Sequence, residues 1–205
     1  MNLPPQAFTR WDETSDTLFY STPRFVTHID DAAITAVTQL YRETLPRGGA
    51  ILDLMSSWVS HLPPEIEYSR VVGLGLNAEE LAANSRLENY VVQDLNETPV
   101  LSFADDEFDA ATICVSIQYL QKPVEVLREV ERVCKPAAPL VVTFSNRCFP
   151  TKAVALWQSL DDAGHGQLVQ TYLADAGWQN IRVEDRSPDK MRSDPLYAVV
   201  GSKRG

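Results

Sequence analysis

The residues best placed to do chemistry stand in the stretch AILDLMSSWVSHLP, residues 50–63. A short apolar run, Ala50-Ile51-Leu52, meets an acid at Asp53 and then turns small and polar at Ser56-Ser57. A buried strand ending in an acid and a tight loop of small residues is how a doubly wound α/β domain opens its ligand crevice. A carboxylate and adjacent hydroxyls offer such a ligand both acceptors and donors. The glycines usual in such a loop are absent here.

Other chemistries are not expected. No two of His28, His61 and His165 have metal-ligand spacing, so no metal is expected. Cys114, Cys134 and Cys148 are odd in number and form no CxxC pair, which argues against a disulfide framework or a zinc site. Cys114 sits in an apolar run and reads as a small core residue. The net charge of −10 repels phosphate backbones and anionic lipid, so neither nucleic acid nor membrane is an expected partner. Basic residues gather at 122–135 and at the C-terminus, but acids interrupt both places, as on a solvated helix face. No apolar run reaches membrane-spanning length and residues 1–16 carry no targeting pattern, so a cytoplasmic location is expected.

The elements that must position these residues follow from periodicity. With 205 residues, 44% of them hydrophobic, one globular domain and a modest extension are expected. Residues 1–18 read as a loosely held arm, and Asp30 or Asp31 caps a helix over 32–45. Strands are expected at 50–54, 70–74, 88–92, 110–115, 140–144, 181–185 and 197–202. Helices are expected at 78–85, from Pro123 through Val133, at 152–160 and at 167–176. Pro63-Pro64 leaves at most a short helical turn around Trp58–His61 after the first strand. Asn77 with Glu80 has capping-box spacing. Alternating strands and helices predict a mostly parallel sheet covered on both faces. The last two strands, joined by SPDKMRSDP, can pair antiparallel.

At this point the residues resemble a known family, the class I S-adenosylmethionine-dependent methyltransferases, and within it the small-molecule subgroup called type 11. The likeness runs from about Gly49 to the C-terminus. It rests on Asp94, FADDEFDAATI, SIQYLQKP, LREVERVCKPAAPLVVTF, GWQNIRVED and YAVVGSK. The resemblance implies a Rossmann-like doubly wound α/β fold of seven strands, mostly parallel with an antiparallel last strand and helices on both faces. It also implies an N-terminal arm and helical cap over 1–48 and a methyltransferase-like domain over 49–205, with S-adenosylmethionine as cofactor. Two departures stand out. Met55, Ser57 and Val59 replace the glycines of the first loop, which should alter its path. Gly75 stands where the family has the acid for both ribose hydroxyls, and Asn77 is the candidate substitute.

Ligand contacts in such a sheet come from the carboxyl ends of strands. The resemblance and that rule together select Asp53, Ser56, Ser57, Trp58, Leu76, Asn77, Asp94, Leu95 and Ser116 for the cofactor. Within this set Asp94 meets the adenine amino group, and Leu76 and Leu95 sandwich its ring. For Asp53 the competing role is fixing the loop, for Asn77 capping the helix, and for Trp58 packing against the N-terminal helix. Tyr119 and Gln118 are the candidates for positioning the substrate. Tyr20, Arg24 and His28 form a candidate substrate wall, with a structural salt bridge the simpler expectation for Arg24 and a packed or exposed ring for His28. The expected function is methyl transfer to a small or medium molecule. The rival is a catalytically inactive binding or assembly module on the same fold. A nicotinamide-dependent oxidoreductase is disfavoured, because G-x-G-x-x-G is missing. The sequence leaves the oligomeric state open.

Overall fold

The computed structural model describes residues 4–189 and 191–205, so the first three residues of the expected arm and Lys190 of SPDKMRSDP lie outside the described residues. Strands β1 (Ala50–Leu54), β2 (Arg70–Gly75), β3 (Asn89–Val92), β4 (Ala110–Cys114), β5 (Pro139–Phe144), β6 (Gln179–Asp185) and β7 (Tyr197–Ser202) form one sheet in the order β3-β2-β1-β4-β5-β7-β6. The first five run parallel, and β7 inserts antiparallel between β5 and β6. This is the expected seven-stranded, mostly parallel α/β sheet.

Side chains alternate strictly along the central strands, as the period of two requires. Leu52, Leu54, Ile113, Leu140 and Val142 face one core cluster, and Ile51, Ala110, Val141 and Val200 face the other. The first cluster is closed by α4 (Pro123–Val133) and α6 (Asp162–Ala176). α4 starts on Pro123 at its first turn and buries Val126, Leu127, Val130 and Val133 as one stripe. α6 begins earlier than periodicity suggested, because Asp161 accepts the Gly164 N–H and caps it. Its Gly166 passes close to β6, where an added Cβ would lie 2.8 Å from Val183.

The second cluster is closed by α2 (Asp31–Thr44), capped by Asp30 as expected. No helix follows β1, within the expectation of at most a short turn at Trp58–His61, and residues 56–69 cross this face without regular structure apart from a turn at 64–65. Pro63-Pro64 bars helical hydrogen bonding, and His61 adopts φ 53°. Leu62 and Tyr68 fill the space instead, and Thr38 donates to the His61 carbonyl.

The segment expected to be a loose arm is firmly held. Arg10 and Asp16 pair at 2.7 Å with both side chains 4% exposed. Lys152, at 1%, reaches Asp16 at 3.2 Å and Asp12 at 3.5 Å. The expected helix at 152–160 accordingly shrinks to α5 (Ala155–Gln158), preceded by an extended Val154. With α1 (Asp16–Phe19), residues 10–30 form a strap across the carboxyl end of the sheet. Removing one partner from a buried ion pair costs about 3 kcal/mol, whereas an exposed pair contributes under about 1 kcal/mol. Lys152→Met should therefore lower the unfolding free energy in urea several-fold more than Lys135→Met, which breaks the exposed pair with Asp109. Equal losses would show that the strap is not fastened through Lys152.

Candidate functional site

The loop after β1 is organised by Asp53, which is 3% exposed. Its Oδ2 accepts the hydroxyls of Ser56 and Ser60, both at 2.6 Å, and its Oδ1 accepts that of Thr112 on β4 at 3.1 Å. Burial raises the Asp53 carboxyl above its ordinary value, and the three hydroxyls offset part of that rise. Met55, at the first replaced glycine, still takes the left-handed conformation, with φ 55°. A side chain therefore occupies a left-handed position that ordinarily favours glycine.

From Met55 the backbone leans on β2. Ser56 N–H donates to the Leu74 carbonyl at 2.7 Å. A Cβ added to Gly75 would lie only 2.2 Å from the Ser56 carbonyl oxygen. An acid therefore cannot stand at position 75 while the loop runs this way. Ser57 donates to Glu80 at 2.7 Å, and Asn84 donates to the Ser57 carbonyl and to Ser60 Oγ.

α3 (Ala78–Ala83) opens with Asn77, whose Oδ1 accepts the N–H groups of Glu79 and Glu80, each at 3.0 Å. Its Nδ2 donates to the carbonyls of Tyr20 and Ser21 in the strap. The expected capping box is only half formed. Glu80 turns to Ser57 and accepts the Arg24 backbone N–H at 2.7 Å instead of returning to Asn77. Asn77 thus spends its amide on the helix cap and the strap.

Strap and strand ends enclose a cavity of 470 Å³, within the range of small-molecule sites. Asp53, Ser56, Ser57, Leu76, Asn77, Asp94, Leu95, Ser116 and Tyr119 all line it, as do Tyr20, Arg24 and His28. Two expected residues do not. Gln118 folds back to donate to the Val115 carbonyl at 2.8 Å, and Trp58 points to the strap, donating to the Val26 carbonyl at 3.0 Å beside Phe25. Trp58 packs against the strap and not against the α2 helix. The expected Arg24 salt bridge is also missing among the described residues.

Sequence reasoning missed Asp16, Glu80 and the segment Asn146–Phe149, which also line the cavity. The last follows β5, so the strand-end rule had the signal; Asp16 lay in a segment without periodicity. Val115 at φ 44° is strained for a β-branched residue and turns the chain under the cavity. Next to it the Ser116 hydroxyl is buried without a partner. Tyr119 OH accepts the Phe149 N–H at 2.8 Å, and burial pushes its pKa up to about 12, so the phenol keeps its proton. Burial pushes His61 down to about 4 and lowers His28 as well, so both imidazoles are uncharged at neutral pH.

Comparison with known proteins now has a geometry to meet. A family described as a methyltransferase domain matches residues 55–142. The fold is similar to that of a putative methyltransferase solved in complex with the Trm112 activator of Haloferax volcanii. The TM-score is 0.66 at 16% identity, over 85% of this chain and 91% of that one. It is also similar to an S-adenosylmethionine-dependent methyltransferase from Mesorhizobium loti, with TM-score 0.60 at 17% identity over 82% and 98%. A third likeness, to the cyclase SpnF, has TM-score 0.61 at 16% identity over 82% and 80%. The family match thus spans the middle of the chain, residues 55–142, and the fold is similar to that of S-adenosylmethionine-dependent methyltransferases. The S-adenosylmethionine of such a relative can be tested against the cavity here. Among the described residues, only the Asn96 N–H donates to the Asp94 carboxylate, at 2.9 Å to Oδ1, so an acceptor oxygen is left for a ligand. Ser116 supplies an orphaned hydroxyl, and Leu76 with Leu95 supplies apolar walls. The donor set fits such a group, except that no acid stands at Gly75.

Two outcomes follow from this geometry. Gly75→Asp, which restores the family's acid, should destabilise the fold by about 1–3 kcal/mol through overpacking and weaken ligand binding; tighter S-adenosylhomocysteine binding in calorimetry would refute the Ser56 obstruction. Because the folded Asp53 holds its proton more tightly than the unfolded chain, stability falls as pH rises from 3.8 through the raised value. The unfolding free energy of the wild type minus that of Asp53→Asn should therefore fall over this window and then level off. A difference that rises with pH would contradict it.

Proposed function

We propose that this chain is a class I S-adenosylmethionine-dependent methyltransferase and transfers a methyl group from S-adenosylmethionine to a small or medium-sized molecule. The observation that carries the reading is the 470 Å³ cavity at the carboxyl ends of β1, β2 and β4, lined by Asp94, Leu76, Leu95 and Ser116 and roofed by the strap. Asp94 would accept the adenine amino group, with Leu76 and Leu95 against the ring. Ser56 and Ser57 donate their protons to Asp53 and Glu80, so they would present lone pairs to an ammonium group. When bound, S-adenosylmethionine supplies a methyl group on a sulfonium, which an acceptor lone pair takes by in-line displacement.

Such a displacement depends on orientation more than on acid or base catalysis. Tyr119, protonated and fixed by the Phe149 N–H, would donate its hydroxyl proton and orient the acceptor. A base is needed only if the acceptor loses a proton first, and the uncharged His28 imidazole at the cavity wall is available for that. The strap excludes water from the reacting groups.

Calorimetric titration with S-adenosylmethionine and S-adenosylhomocysteine tests this reading. Binding is expected, and Asp94→Ala should weaken it about tenfold, the worth of one charge-assisted hydrogen bond. The absence of both heat and thermal shift at about millimolar ligand would sink the proposal.

A further inference from the structure

We infer that Arg24 anchors a carboxylate on the methyl acceptor, and that the acceptor is an acid with an aromatic or other apolar body. This rests on the methyl-transfer reading for the word acceptor; the anion site itself rests on Arg24 and its surroundings.

The Arg24 guanidinium carbon lies 4.8 Å from the ring centre of Phe19 and 5.5 Å from those of Tyr20 and Phe149. Nη2 donates to the Phe19 carbonyl at 2.9 Å, while Nη1 is buried with no partner. The carboxylates nearby are committed elsewhere. Asp16 is held by Arg10 and Lys152, and Glu80 meets Arg24 only at its backbone N–H. Among the described residues, the cavity wall therefore carries a cation with no counter-ion at hydrogen-bond distance and a donor with nothing to bond. An unsatisfied charged donor is costly to bury. A hydroxyl would satisfy the donor and leave the charge, whereas a carboxylate answers both.

The rest of the wall describes the ligand's body. Phe149 lies 6.0 Å from Tyr119 and 6.2 Å from Tyr20, ring centre to ring centre, and meets His28 edge-on at 5.3 Å. These rings and Arg24 come from three separate parts of the chain, the strap, the turn after β4 and the segment after β5, and converge on one cavity. Their faces suit an apolar ring more than a sugar or a polyamine.

The test uses the full chain with 3-phenylpropanoate and its neutral counterpart 3-phenylpropanamide, measured by calorimetry on the wild type, Arg24→Lys and Arg24→Gln. The wild type should bind the acid at least about tenfold more tightly than the amide, as expected for a charge-assisted contact. Arg24→Gln should abolish that preference and leave amide binding within about twofold, with Arg24→Lys between them because it keeps the charge and loses the planar fork. Equal binding of acid and amide, retention of the preference in Arg24→Gln, or no binding of the acid at about 10 mM overturns the inference. Should Arg24→Gln fold poorly by thermal melting, the wild-type preference and its size in Arg24→Lys decide. S-adenosylhomocysteine is titrated into the same samples. If it fails to bind while the acid binds through Arg24, the methyl-transfer reading falls and the anion site stands. If it binds without acid preference, the reverse holds.

Discussion

A single buried carboxylate sets the path on which the rest of the site depends. Asp53 draws Ser56, Ser60 and Thr112 onto its two oxygens and so fixes the segment after β1 without a helix to carry it. Ionised carboxylates are expensive to bury, and only a full set of donors makes the position tolerable. Once Ser56 and Ser60 are tied, the intervening residues have little freedom. The Ser56 carbonyl closes on Gly75, Ser57 faces Glu80, and Trp58 is delivered to the strap. Each of these contacts is long-range, so the loop is held by tertiary hydrogen bonds where its relatives' glycines would leave backbone free.

The same contacts assemble the strap. Asn77, Glu80 and Trp58 hold the Tyr20, Ser21 and Val26 carbonyls and the Arg24 N–H, while Lys152 and Arg10 fasten Asp16. Polar groups that would otherwise face a ligand are thereby converted into fastenings for a roof. The cavity gains enclosure and loses free hydrogen-bonding groups at its β2 corner. It keeps them at Asp94, Ser116 and Arg24, which lie at separate points of its wall.

Sheet and helices were legible because burial imposes periodicity: β1, β4 and β5 alternate between two cores, and α4 carries one unbroken stripe. The strand-end rule likewise selected the part of the cavity wall that the ends of β1 to β4 supply, from Asp53 to Ser116. Side-chain direction was not legible. Gln118 and Trp58 sit at the right positions and turn away, because a backbone carbonyl takes their N–H groups, that of Val115 three residues earlier for Gln118 and that of Val26 in the strap for Trp58. Nor were long-range pairs: nothing local to residues 10–16 announces that Lys152, far along the chain, will bury itself against them. The half-formed capping box has the same cause, since Ser57 and the Arg24 N–H compete successfully for Glu80.

The missing glycines and the missing acid look in the sequence like two separate departures from the family. In the structure they meet. Ser56 can place its carbonyl against β2 only if position 75 has no side chain, and an acid at 75 would force the loop away. The path of the substituted loop thus requires glycine at 75, and the two departures share one corner of the cavity. Nor does the corner lose its negative charge. Glu80, 8% exposed on α3, holds a carboxylate there, oriented by Ser57 and the Arg24 N–H. Each of its oxygens accepts one of those bonds and retains a second lone pair. The carboxylate stands in the first turn of α3, beside the backbone N–H groups of that terminus, so this corner of the cavity still offers acceptor oxygens to a ligand.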